Sequence, residues 1–223
     1  WKLYAMTPRG VWTSGTVIGG DYADTTYNYP MLDAAYAAGW DVVNHTMTHR
    51  SIGALTNAAE VKYEVMRAEG WMAAQGYTRG RGFYASPNSS TSRLAEKVIK
   101  NCGFKWQRHA RGYINPVTPW GLANPHHQGA IDMGNQTNWQ SSSRIKNAID
   151  HAIRYGGCLN LFWHFIRTAG DDGSGVGIYT SDNLNIYRSN WLEVARYLKE
   201  RENAGDLRVI TPGQLIYGYG VQA

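Results

Sequence analysis

At 223 residues, with 43% apolar and 17% charged side chains, the chain is too apolar and too weakly charged to stay disordered, and it can bury a sizeable core. Basic residues outnumber acidic ones 22 to 17, for a net charge of +5. They are scattered, and the one dense group (Arg79, Arg81, Lys105, Arg108, Arg111) is not the concentrated stripe of a nucleic-acid face. No apolar run approaches the roughly 18 residues that a bilayer span requires, so no membrane span is expected.

The mild basicity favours an acidic or neutral polymer as partner. Aromatics are unusual: 9 Trp and 15 Tyr against 4 Phe. Rings with a polar handle suit surfaces where one face packs and one edge stays wet, as in sugar-binding clefts, although a large core uses them too. Two cysteines, Cys102 and Cys158, are too few for a disulfide framework and lack metal-binding C-x-x-C spacing. No basic stretch followed by an apolar segment opens the chain, so no secretory leader is read. A start at Trp1 suggests a processed product or part of a longer chain.

In chain order, Gly10–Ile18 reads as a strand and Pro30–Gly39 as a helix between a Pro start and a Gly stop. Trp40–Asn44 reads as the next strand. Thr56 is the expected cap of a helix reaching Gln75, with Val61, Val65, Met66, Met72 and Ala73 on its apolar period. Gly82–Ser86 is a third strand, Ser92–Cys102 a helix stopped by Gly103, and Phe104–Arg108 a fourth strand. An irregular connection spans Gly112–Gln128, and Ala130–Met133 is a fifth strand. Ser143–Tyr155 is a helix, Cys158–Ile166 a long apolar strand, and Thr168–Gly177 a Gly/Asp loop. Helix Ile186–Asn203 and strand Arg208–Thr211 close the pattern.

Strands separated by helices imply parallel crossovers, hence an α/β protein, and about seven such units favour a closed barrel. In barrels of this kind, chemistry gathers at the carboxyl ends of strands. His45 and His49 stand there, just after Trp40–Asn44. Two imidazoles four residues apart can converge on one divalent cation. The spacing alone also fits two polar loop residues, and the strand-end position favours the ligand pair. His164 ends the Cys158–Ile166 run between Trp163 and Phe165. It reads as a core histidine or, at a carboxyl strand end opposite a metal, as a general acid. Tyr84, near the end of the third strand, leads to Pro87 and Asn88 in a turn whose backbone N–H groups could face an oxyanion or simply lead into the next helix. With Trp163 they are the candidate substrate contacts. His126 and His127 sit in the long loop and read as solvated residues that could bind a metal adventitiously, and His109 simply follows a strand. No G-x-S-x-G elbow, P-loop or G-x-G-x-x-G is present, which argues against a serine hydrolase, an NTPase or a dinucleotide enzyme.

Three segments resemble the polysaccharide deacetylases with a NodB-homology domain, carbohydrate esterase family 4. AGWDVVNHTMTHRSI is similar to the family's second motif, with His45 and His49; CLNLFWHFI to its fifth, ending in His164; and NWLEVARYLKERENAGDLRVITPGQL to its closing helix and strand. The resemblance implies a distorted (β/α)7 barrel spanning residues 1–223 as a single domain, without its first strand. It also implies a divalent metal, usually zinc, held by His45, His49 and an aspartate. A metal-bound water would attack an acetyl carbonyl of an acetylated polysaccharide, and His164 would protonate the leaving group. The family's first motif, T-F-D-D-G, carries the base and the aspartate ligand. It has no counterpart before Gly10, and the expectation is that it lies upstream of Trp1. Asp171-Asp172-Gly173 reads as a solvated turn, and Asp21 and Asp24 as loop residues. At the third motif, Ala85 and Asn88 replace the usual arginine and aromatic, leaving Arg108 or Arg111 as substitutes; Trp106 is the positional candidate for the fourth motif's tryptophan.

Two readings follow. One is a metal-dependent deacetylase of N- or O-acetylated polysaccharide, in an extracellular, cell-envelope or virion-surface setting and as part of a longer chain or larger assembly. The other is a non-catalytic carbohydrate-binding or structural domain on the same scaffold. Glycosidic hydrolysis would need paired carboxylates at strand ends, and none stands out.

Overall fold

The computed structural model describes residues 33, 34, 36–110, 112, 114–118, 121–133, 142–163, 166, 167 and 186–217. The strand Gly10–Ile18 and the loop Thr168–Gly177 read from the sequence lie outside these residues. In chain order, the elements are α1 (Ala58–Ala74), β1 (Phe83–Ala85), α2 (Arg93–Asn101), β2 (Trp106–Arg108), β3 (Val117–Thr118), β4 (Gly121–Leu122) and β5 (Ile131–Asp132). There follow α3 (Ser142–Tyr155), β6 (Leu161–Phe162), β7 (Ile166–Arg167), β8 (Ile186–Tyr187), α4 (Arg188–Asn203) and α5 (Pro212–Tyr217). The class is mixed α/β, with parallel pairing dominant.

The chain divides into two compact units, the first made of Trp1–Ala110, Ala123–Gln128 and Ile210–Ala223. Its framework is a parallel ladder. Asn44 bridges Tyr84 in parallel, β1 pairs with β2 from Phe83↔Trp106 to Ala85↔Arg108, and Arg108 bridges Gln128 in parallel. Parallel neighbours need long crossovers, and α1 and α2 provide them. α1 buries Val61, Val65, Ala68 and Met72 along one stripe; Val61 and Val65 share a core with Ala95 and Ile99 of α2, Tyr84 and Phe104, while Met72 packs with Val42, Trp71 and Tyr77. Met66 and Ala73, expected on that stripe, are exposed instead. The cap of α1 is Asn57 rather than Thr56: its side-chain oxygen accepts from the Ala59 N–H at 2.8 Å. Ser92 caps α2 as expected, accepting from the Ala95 N–H at 3.2 Å, and Gly103 ends it at φ +89.

Arg208–Thr211 is not a strand. It is an extended lead into α5, where the Thr211 hydroxyl accepts from the Gln214 N–H at 3.2 Å. The Gly213 N–H donates to the Asp41 carboxylate at 3.2 Å, which ties α5 to the segment entering the Asn44 ladder.

The second unit comprises Arg111–Leu122 and Gly129–Val209. β5 pairs in parallel with β6, β7 in parallel with β8, and β3 with β4 antiparallel. Ile145 and Ile149 of α3 meet Val194 of α4 and Met133 in its core, with Trp163 and Trp191 packed on the margin. The long Cys158–Ile166 strand is broken in two. Asn115 occupies the start of the run, exchanging backbone bonds with Cys158 at 2.8 Å each way while its amide donates to the Gly129 and Cys158 carbonyls. Pairing with β5 then covers only Leu161–Phe162, and Ile166 opens a new ladder with Ile186. Ile186–Tyr187 is therefore strand, not the first turn of the helix.

Candidate functional site

Parallel pairing ends at Asn44, and the next residue is His45, so the first imidazole stands at a carboxyl strand end of the first unit. His45 is buried. Its Nδ1 lies 2.5 Å from the carbonyl oxygen of Ala85, the last residue of β1. A carbonyl only accepts, so Nδ1 carries a proton, and in the neutral ring Nε2 is the nitrogen left to coordinate. This is the carbonyl–imidazole arrangement that orients a histidine for a metal ion.

The loop that follows is bent to bring the second ring back. Thr46 and His49 have φ of +68 and +60, the left-handed region that costs a non-glycine residue roughly 1–3 kcal/mol. Several bonds hold it there. The Thr46 N–H donates to the Asn44 side chain at 2.9 Å, and the Met47 N–H to the Glu64 backbone carbonyl at 3.0 Å. The Thr48 N–H and hydroxyl donate to the two Glu64 carboxylate oxygens at 3.0 and 2.8 Å. Asn44 is itself fixed: its amide donates to the Val65 carbonyl at 2.8 Å and to Glu69 at 3.1 Å. As a result the His45 and His49 rings stand edge to face, 5.0 Å between centroids.

Glu69 at the base of this loop is buried, and burial raises its carboxyl above the ordinary value. Hydrogen bonds from Asn44, Gly82 and Arg81 work in the opposite direction. The dense basic group seen in the sequence is in part structural. Arg81 pairs with Glu69 at 3.3 Å, Arg79 stacks 3.8 Å above the Tyr36 ring, and Arg108 is buried at the end of β2.

Two imidazoles suit zinc and similar ions, but a protein site of this kind has three or more protein ligands. Among the described residues no carboxylate, thiol or further imidazole joins His45 and His49 in a metal-sized group. Asp21, Asp24, Asp171 and Asp172 lie outside the described residues, and so does His164.

The turn after β1 brings Ser86 to Ser90 over the strand ends. The Ser86 N–H donates to the Arg108 carbonyl at 2.8 Å, and the Ala110 N–H to the Ser89 hydroxyl at 2.8 Å. The Asn88 amide reaches the Ser51 hydroxyl at 3.0 Å, and Asn88 and Ser89 both have φ of +52. Asn88 is exposed and Pro87 buried. Tyr84 is wholly buried, edge-on to Phe104 with 6.1 Å between centroids, and offers no surface to a ligand. Trp106 is buried as well, edge-on to Phe83. Trp163 lies half-buried in the second unit, 6.2 Å from Trp191 between ring centroids.

A second group of donors joins His127 to two residues that the sequence does not connect with it. Glu96, His109 and His127 each present a ligand atom, all within 4.8 Å of one another. The sequence marks His109 only as a residue after a strand, and His127 as a solvated loop residue that could bind a metal adventitiously. No spacing rule joins positions so far apart. The signal that could have found them is their placement, at a helix start, a strand end and a loop beside that strand.

Comparison with known proteins completes the description. Residues 13–106 match the family model "Polysaccharide deacetylase". No curated protein matches the chain. Among solved structures, the Xyl-CE4 domain of a multidomain xylanase from the hindgut metagenome of Trinervitermes trinervoides aligns with 99% of this chain and 92% of its own, at 12% identity and a TM-score of 0.52. That likeness is one of fold. A family 4 carbohydrate esterase from Streptomyces lividans, in complex with acetate, aligns at 19% identity over 78% of this chain and 68% of its own, with a TM-score of 0.47. A family 4 pseudoenzyme from Bacillus anthracis aligns at 12% identity over 84% of this chain and 49% of its own, also with a TM-score of 0.47.

Proposed function

Residues 13–106 carry the match to the polysaccharide deacetylases, and from that premise we propose that the protein is a divalent-metal-dependent deacetylase of an N- or O-acetylated polysaccharide. The observation that carries the reading is the His45/His49 pair: two imidazoles 5.0 Å apart at a carboxyl strand end, the first with its Nδ1 on the Ala85 carbonyl. His45 and His49 would hold the cation, zinc by the chemistry of the donors, together with a carboxylate still to be assigned. When bound, such an ion supplies Lewis acidity, polarising an acyl carbonyl and making water a competent nucleophile near neutral pH.

The residues of the chain divide the remaining work. Water gives a proton to a carboxylate base still to be assigned and adds its oxygen to the acetyl carbon, the bond from that carbon to the sugar nitrogen or oxygen breaks, and acetate leaves. His164 is assigned the proton that the departing amine or alkoxide needs, a task suited to an imidazole near neutral pH. Ala85 fixes the His45 tautomer, and Glu64 and Asn44 keep the His49 ring close to it. Asn88 and Trp163 are the remaining candidates for contact with the glycan. The reading takes residues 1–223 as a single domain closing into a distorted (β/α)7 barrel, in an extracellular, cell-envelope or virion-surface setting.

The test is acetate release from N-acetylglucosamine oligomers and from acetylated xylan, two arms that separate N- from O-deacetylation, with zinc analysis of the same samples. His49→Ala is expected to lose the zinc on which turnover depends. His164→Ala is expected to keep it and to lose about a hundredfold to ten-thousandfold in rate. Undiminished turnover by His164→Ala would remove that residue from the mechanism. Glycan binding by a wild-type protein with no acetate release at any zinc loading would instead make the chain a binding module.

A further inference from the structure

We propose that Glu96, His109 and His127 form a second transition-metal site, taking zinc or a similar divalent ion and sharing no residue with the His45/His49 pair. Three backbone elements of the first unit deliver the donors. Glu96 lies in the first turn of α2, His109 directly follows β2, and His127 comes from the loop beside it. The loop is held against the strand by backbone bonds: the His109 N–H to the Gln128 carbonyl at 2.7 Å, the Gln128 N–H to the Gln107 carbonyl at 3.0 Å, and the Gln107 N–H to the Pro125 carbonyl at 2.9 Å. These bonds fix where His127 stands relative to His109, and the two rings lie 5.0 Å apart between centroids.

The distances suit a small ion. Zinc–nitrogen and zinc–oxygen bonds of about 2.0–2.1 Å at tetrahedral angles place neighbouring donors roughly 3.3–3.4 Å apart. His127 Nδ1 and Glu96 Oε1 are already 3.4 Å apart, one edge of such a tetrahedron. All three donor atoms lie within 4.8 Å of one another, so small side-chain rotations complete the face. An ion pair between His127 and Glu96 alone would explain the first distance but not the second imidazole, which is wholly buried on His109. The Glu96 carboxylate is also oriented from behind: the Thr91 hydroxyl lies 3.2 Å from Oε1 and can donate to it, the kind of supporting bond that metal carboxylates carry.

The donor set selects the metal. Two imidazoles and one carboxylate suit zinc, cobalt, nickel or copper, whereas calcium and magnesium require oxygen ligands and more negative charge. Three protein ligands leave one position open to solvent. His127 and Glu96 are both about one-third exposed, so an ion can enter from outside.

The experiment uses the full chain stripped of metal and titrated with Co2+, whose visible absorption reports nitrogen and oxygen coordination, alongside zinc stoichiometry and the thermal midpoint with and without Zn2+. The assay is run in the His49→Ala background, so that the outcome does not depend on the deacetylase reading. That variant is expected to bind one further ion, show a tetrahedral cobalt spectrum and gain thermal stability with zinc. Adding His127→Ala or Glu96→Gln, both at part-exposed side chains, is expected to weaken this binding at least tenfold and to abolish the zinc-dependent gain, with the circular dichroism unchanged. A His49→Ala protein that binds no ion overturns the proposal, as does one whose ion is indifferent to both added substitutions.

Discussion

His45 and His49 come from one short loop that is bent by its own hydrogen bonds, whereas Glu96, His109 and His127 come from three elements brought together only by the parallel ladder. The first group stores strain: two non-glycine residues at positive φ, held by the buried side chains of Asn44 and Glu64. In the second group strand pairing sets the positions, and none of the three residues has a positive φ. The first group also lacks a carboxylate among the described residues, while the second includes one. Proximity of donors therefore has two independent sources in this unit, local strain and long-range register, and each can be attacked separately.

The largest expected effect falls on the base of the strained loop. Gly80 has φ +81, and a Cβ there would sit 2.3 Å from the Val42 carbonyl oxygen, in the segment that leads to Asn44. Gly80→Ala therefore combines a left-handed penalty with a backbone overlap, for about 3–4 kcal/mol of lost stability in denaturant unfolding. A loss below about 1 kcal/mol would mean that this approach relaxes easily and that the loop does not depend on it. Next comes Glu64→Ala, which removes both acceptors of Thr48 and leaves a gap beside a buried helix face. The expected cost is about 2–3 kcal/mol. With its tether gone, the His49 backbone is expected to leave positive φ, and turnover should fall with it. The zinc affinity of the Glu96 group should not change, and a parallel loss there would erase the contrast between the two sites.

How far each group could be read from the sequence follows from the same contrast. H-x-x-x-H after an apolar run is a local pattern, so His45 and His49 could be picked out, and the helices with their Ser92 and Gly103 boundaries were legible for the same reason. Asn57 took the cap from Thr56 because either residue type can cap and only the backbone decides which one turns. The Cys158–Ile166 run looked like one strand because it is continuously apolar. Asn115, a distant residue, occupies Cys158 with its amide and backbone, and pairing with β5 covers only Leu161–Phe162. Tyr84 stands close to the polar turn at Pro87 and Asn88 in sequence and so resembles a ligand contact, yet it lies within β1 and its side chain packs in the core. The Glu96 group has no sequence period at all, since it depends on which strand lies beside which.

A smaller effect, readable only against pH, concerns Glu69. Burial is the largest influence on its carboxyl and raises it above the ordinary 4.5, while Asn44, Gly82 and Arg81 pull it back only in part. An acid that holds its proton more tightly when folded favours the folded state at low pH. That contribution declines once pH exceeds the unfolded value and is gone above the folded one. Subtracting the Glu69→Gln unfolding free energy from that of wild type cancels the other carboxylates. The difference should move against wild type as pH rises from about 4 through the folded value, then level off. A difference that moves in wild type's favour would mean that the Arg81 pairing outweighs burial. The strained loop would then rest on an ion pair rather than on a buried acid.

The smallest effect sharpens the other side of the comparison. The Thr91 hydroxyl donates to Glu96 at 3.2 Å, and Thr91→Val keeps the shape while removing the donor. Fold stability should change by less than about 0.5 kcal/mol, as for a part-exposed position without a cavity. Zinc affinity at the Glu96 group should nevertheless weaken by about tenfold, because a carboxylate without its supporting bond must be ordered by the ion itself. Metal retention that depends on His49 should be untouched, since that loop is anchored by Asn44 and Glu64. If Thr91→Val altered the His49-dependent metal as well, the two groups would not be separately built, and register rather than local strain would govern both.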